Sequence, residues 1–217
     1  MRAVLVLCLI ASGPVPAAAG PWLRTPGTGF VSLSREVRPD GADWSALYAE
    51  YGVSERLTAV LDAGSSEAGG GRVAIGSVRV PLWQGGAGRV ALGFGLGEGW
   101  RDGGAPSYTV VQGVLSWGRS FERAGRSGWT TLDATVRDTP GAAASERKLD
   151  ATLGAWMRPG NALIGQAQFS DWNGGEQLRL GFGWVTRLGP VSVETGVGQR
   201  LRQGRETDLK IGLWVEF

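Results

Sequence analysis

Histidine does not occur among the 217 residues, and the one cysteine, Cys8, lies within the first ten. These absences remove the imidazole base, the thiol nucleophile and most zinc sites in one step. The remaining catalytic arrangement is a site made only of carboxylates, for which Asp133 and Asp150 are the candidates. Carboxylates interspersed with arginine and lysine far more often pair with them. No enzyme, metal or cofactor is expected. Charge of one sign is also lacking: 22 basic residues stand against 20 acidic, a formal net charge of +2, so no field is offered to nucleic acid. After the N-terminus no run approaches the ~20 apolar residues that a transmembrane helix needs. Any membrane crossing must therefore be made by strands.

Glycine is plentiful, at 37 residues, but it falls in turns and alternating segments and shows no G-X-Y period. The chain opens with Arg2, an apolar run from Ala3 to Ala11, and a small-residue stretch ending Ala17-Ala18-Ala19. These are the three regions of an export signal, with cleavage expected after Ala19. Cleavage would remove Cys8, leaving no disulfide, and Arg2, leaving a net charge of +1. The length suits one folded domain. The expected organisation is a signal peptide over 1–19, an N-terminal lead over 20–28 and a β domain over 29–217.

Period-2 alternation is clearest in the last twelve residues, E-T-D-L-K-I-G-L-W-V-E-F. Leu209, Ile211, Leu213, Val215 and Phe217 share one parity, while Asp208, Lys210, Gly212, Trp214 and Glu216 share the other. A strand that ends the chain has no later element to cover its edge, and closing onto the first strand of a barrel solves this. Such a strand ending on an aromatic, behind an export signal, resembles the C-terminal strand of Gram-negative outer-membrane β-barrels. The resemblance implies that Phe217 is the signal read by the barrel assembly machinery. It also implies a location in the cell outer membrane, with outer-membrane lipid and lipopolysaccharide as surroundings.

Alternation predicts twelve strands. They are Gly29 to Val37, Ala46 to Gly52, Arg56 to Ser65, Arg72 to Trp83, Gly88 to Gly97 and Ser107 to Phe121. They continue with Gly128 to Asp138, Glu146 to Met157, Asn161 to Trp172, Glu176 to Leu188, Val191 to Arg202 and Glu206 to Phe217. An even count returns both termini to one side, as in bacterial barrels. Connections after even-numbered strands are mostly tight Gly or Pro turns, and those after odd-numbered strands are generally longer and polar. The first set is expected in the periplasm and the second outside. Tyr51 to Thr58, Y-G-V-S-E-R-L-T, is similar to a strand-turn-strand unit of the meta-pathway phenol-degradation, or transporter-like, small barrels. The expected fold is thus an all-β, antiparallel, up-and-down transmembrane barrel.

Parity assigns an oily face, including Leu57, Leu61, Leu92, Phe94, Leu149, Leu153, Leu180 and Phe182, to lipid. In a soluble barrel the same face would fill the core. The opposite parity gives the candidates for lining a lumen: Arg56, Asp62, Arg89, Asp133, Arg137, Lys148, Asp150, Arg179, Glu194, Asp208 and Lys210. These either neutralise one another across strands or contact a solute. The tryptophans Trp83, Trp117, Trp129, Trp156, Trp184 and Trp214 near one end, and Trp44, Trp100 and Trp172 near the other, suggest two interfacial belts. Parity nevertheless turns Trp129, Trp156 and Trp214 inward, as candidates for a periplasmic constriction. Strands four and six carry valine on both parities, and their phase stays open. Arg200, Arg202 and Arg205 near an outer tip are solvated charges or contacts for lipopolysaccharide phosphate. The expected function is a passive pore for an unidentified small solute. The alternatives are a secreted soluble β-barrel holding an apolar ligand and a purely structural outer-membrane barrel.

Overall fold

A computed structural model describes residues 20–67, 71–101, 106–123, 125–141, 145–202 and 205–217. The expected signal peptide, its cleavage site and Cys8 lie outside the described residues. Twelve strands follow one another: β1 Gly29–Val37, β2 Trp44–Ser54, β3 Leu57–Ser66, β4 Arg72–Gly85, β5 Gly88–Trp100 and β6 Tyr108–Arg123. The second half is β7 Arg126–Asp138, β8 Ser145–Arg158, β9 Asn161–Trp172, β10 Gly175–Leu188, β11 Val191–Arg200 and β12 Glu206–Glu216. Each pairs antiparallel with its neighbours in sequence, and β1 pairs with β12 to close the barrel.

Closure is set by register. Phe30 faces Glu216, Leu33 faces Leu213 and Val37 faces Leu209, and the seam ends in reciprocal bonds between Gly29 and Phe217, with N···O distances of 2.7 and 3.1 Å. The Phe217 ring lies across Gly29 so closely that any Cβ there would overlap it. No edge is left for another chain to pair with.

The connections leaving β2, β4, β6, β8 and β10 are all reduced to two residues, on the side where β1 begins and β12 ends. The longer connections lie at the opposite end. The exception there is Asn173-Gly174, whose φ values of 50° and 86° suit a two-residue turn of the primed kind. Between β6 and β7 a six-residue connection was expected, but both strands extend into it.

Each strand presents large apolar side chains outward: Leu61, Phe94, Leu96, Leu153, Phe182, Leu209 and Phe217 are all exposed. The inward side carries Glu50, Thr58, Gln112, Ser116, Thr131, Glu194 and Asp208, all buried. This polar-in, oily-out order is that of a membrane barrel. It also resolves the two ambiguous strands. In β6 the even positions from Val110 to Ser116 face in; in β4 Ile75, Ser77 and Arg79 face in. The register shift between Pro81 and Trp83 then swings Trp83 outward.

Candidate functional site

The lumen is not an empty tube. Residues 20–25, part of the expected N-terminal lead, fold into the short-turn end of the barrel. Pro21 is fully buried and Trp22 and Arg24 are nearly so. Pro21 and Trp22 pack on inward-facing Gly118, where a Cβ would stand 2.9 Å from the proline and 2.7 Å from the indole. Gly20 reaches Thr131 on β7: its own Cβ would be 2.6 Å from Thr131 Cγ2. The lead thus crosses from the seam at β1 to the wall at β6 and β7.

Polar groups hold it there. The Arg24 backbone N–H donates to Thr58 Oγ1 at 2.9 Å, and its guanidinium donates to Glu50 at 2.6 Å and Glu216 at 3.3 Å while lying 4.8 Å from the Phe30 ring centre. Arg79 donates to the other Glu50 oxygen at 2.7 Å, to the Tyr48 hydroxyl at 2.9 Å and to the Trp22 carbonyl at 3.4 Å. Glu50, fully buried, is therefore shared between two guanidiniums and a phenol. A buried carboxylate needs that degree of pairing to stay charged.

Around the lead stand the inward tryptophans. Trp129 is buried, its ring centre is 5.9 Å from that of Trp156 at 47°, and Trp22, Trp129, Ala162, Ile164 and Val185 form one apolar cluster against which Trp156 and Trp214 pack. Trp129 lies flat over Gly154, where any side chain would collide with it. Trp214 meets Phe30 edge-on at 6.1 Å. The expectation of two interfacial belts is corrected accordingly. Trp83, Trp117 and Trp184 are on the outward parity at the short-turn end; at the other end Trp44 folds inward over Gly64 and Trp172, though exposed, has the inward parity opposite Glu146, which leaves Trp100 outward.

Toward the long-loop end the lumen is crossed by ion pairs. Arg137 on β7 binds Asp62 on β3 at 2.8 Å, spanning the interior, and also Gln112 at 2.6 Å and Glu146 at 3.4 Å. Arg179 binds Asp208, Gln168 at 2.8 Å and Glu36 at 3.2 Å, joining β10 to β12, β9 and β1. Lys210 binds Glu194 at 3.0 Å, and Lys148 lies 3.7 Å from Asp150. Ser116 donates to Asp133, which faces Asp150 across the ladder. The glycines at 183 and 198 on the same wall are seats for these groups: a Cβ would meet Glu194 at one and the Arg179 guanidinium at the other.

Of the eleven residues proposed from parity as lumen-lining, Arg56 is misplaced. A register shift between Gly52 and Ser54 carries β2 as far as Ser54, so Glu55 and Arg56 become the turn and Arg56 is exposed. Arg89 keeps the inward parity, opposite Gly118. The outer-tip arginines Arg200 and Arg202 pair with Glu206 and Glu176. Periodicity could not have found Trp22 or Arg24 as site residues, whereas Tyr48 shares the parity of Glu50 in β2. The available hint was a tryptophan and an arginine between Pro21 and Pro26 in a stretch without alternation. At the loop rim the Arg38 N–H and the Arg35 guanidinium hold the Asp43 carboxyl below the usual carboxylate range. Among the described residues no cluster of three or more acidic, histidine or cysteine side chains is placed to hold a metal.

No protein-family model and no curated protein matches this sequence. Solved structures do match in shape. The KdgM porin superposes with a TM-score of 0.66 over 87% of this chain and 99% of its own, at 10% identity. The NanC porin gives 0.61 over 85% and 98%, at 10% identity. An outer-membrane channel of Pseudomonas putida F1 gives 0.54 over 94% and 100%, at 12% identity. The chain therefore has the fold of outer-membrane porins and channels.

Proposed function

We propose that this protein is an outer-membrane channel for small solutes, without catalytic activity, whose resting form is stoppered at the periplasmic end by its own residues 20–25. The observation that carries this is the insertion of Trp22 and Arg24 into a charged lumen enclosed by an oily wall. The lead is tied to the barrel by side-chain contacts and by the bonds of Gly27 and Gly52, and lies outside the strand ladder. It can leave without breaking the wall.

The lumen carries both signs, and Arg79, Arg137 and Arg179 each already bind a carboxylate. A solved complex of the KdgM porin contains an oligogalacturonate. Here Arg79, Arg137 and Arg179 are neutralised by carboxylates of the same lumen, which supports transport without selection by charge. The Asp62–Arg137 strut favours a second reading, a purely structural barrel. The narrower kinship with the meta-pathway phenol-degradation barrels rests on the β2–β3 hairpin alone.

Planar bilayer recording separates the readings. The chain from residue 20 should show rare, brief openings, and one lacking residues 20–26 should conduct steadily. Silence from both would favour the structural barrel, and steady conductance from both would remove the stopper.

A further inference from the structure

The outer wall carries a feature that the channel does not use. On the outward parity, Arg35, Ser45, Ser65, Arg72 and Trp100 are successive partners across β1 to β5, near the long-loop end. The next outward row toward the periplasmic end is Leu33, Leu47, Ala63, Ala74 and, at its far side on β5, Glu98. Small side chains in the middle of both rows stand between large ones at either side, and the result is a trough of about 640 Å³ in the membrane-facing wall. Along β3 the trough follows only Ala63 to Ser65, two residues of strand or roughly 7 Å at about 3.3 Å per residue, and it runs lengthwise across the strands, from Ile211 and Leu213 on β12 to Trp100 on β5.

Its two cations differ. Arg35 is already held by Glu67 and Asp43, each at 2.8 Å. Among the described residues Arg72 has no ion-pair partner, is exposed, and stands beside the Trp100 indole at the level where β4 begins. An unpaired cation and two serine hydroxyls above a dry, elongated floor are complementary to an anionic headgroup with an acyl chain below it.

We propose that the trough binds one phosphorylated lipid of the outer leaflet, with an acyl chain over Ala63 and Ala74 and a headgroup phosphate on Arg72. This rests on the outer-membrane reading given above but not on the barrel being a channel. Native mass spectrometry of the refolded chain, titrated with lipid A and with its dephosphorylated form, tests it; heat-modifiable migration first confirms folding of each variant. One saturable lipid A per barrel is expected, bound about fivefold more tightly than the dephosphorylated form, since one basic residue near an anionic surface contributes about 1 kcal/mol. Arg72→Ala should abolish that preference, and Ala74→Trp should lose both lipids. Should Ala74→Trp fail to fold, Ala63→Leu serves instead. Non-saturable uptake, equal binding of the two lipids by the wild type, or binding unchanged by these substitutions would overturn the site. Loss of conductance alone would bear on the channel and leave this result standing.

Discussion

Replacing Trp22 by alanine should open the channel without unfolding it. The indole is 9% exposed, packed on Gly118 and within the Trp129 cluster, and Trp→Ala changes at such sites cost about 3 to 5 kcal/mol. Because the lead is not part of the strand ladder, that cost falls on the stoppered state and not on the barrel. At 1.4 kcal/mol per factor of ten, the closed-to-open ratio should fall by roughly a hundredfold to a few thousandfold. A wild type open about 0.1% of the time would then be open for about a tenth of the time or more. Single-channel recording reads this directly as open fraction, with unit conductance unchanged from that of the chain lacking 20–26. Arg24→Ala should act in the same direction but less, because Arg79 still neutralises Glu50. A folded Trp22→Ala barrel with the wild-type open fraction would refute the reasoning.

Three other outcomes follow from the geometry. Gly29→Val should impair assembly as severely as loss of the terminal ring, because its side chain would occupy the space of Phe217; heat-modifiable migration of the membrane fraction would reveal it. Lys210→Ala should destabilise the barrel by about 3 to 5 kcal/mol in urea unfolding, because it strands the buried Glu194 carboxylate, whereas removing both charges together should restore much of the loss. In intact cells a cysteine placed at Asp40, in the connection after β1, should react with an impermeant maleimide, and one at Arg158, beside a two-residue turn, should react only after the outer membrane is permeabilised.

The wall was legible in the sequence because alternation is a local property. In β12 and the residue that follows it, the five apolar residues from Leu209 to Phe217 share a parity with no interruption, and all five are exposed on the outward side. Where a bulge intervenes, at Val53 in β2, local alternation misleads, and Arg56 ends up in a turn instead of on the inward parity. The contents of the lumen were much less legible. Asp62 and Arg137 meet across the interior, a pairing that depends on closure and on the register of all the strands between them. Gly154, Gly183 and Gly198 are recesses shaped to Trp129, Glu194 and Arg179, which only three-dimensional neighbours reveal. The lead has no period at all, and its aromatic and its arginine acquire meaning only when the closed wall supplies Gly118 and Glu50.

The stopper itself can be tested by tethering it. A Cβ at Gly20 would lie 3.1 Å from Thr131 Cβ, close to the roughly 3.5 to 4.5 Å of a disulfide. With Gly20→Cys and Thr131→Cys in a chain refolded from residue 20, the oxidised barrel should show no openings in a planar bilayer. Adding a reductant to the same bilayer should restore them at the wild-type frequency. Openings that persist with the disulfide intact would contradict the claim that residues 20–25 close this channel.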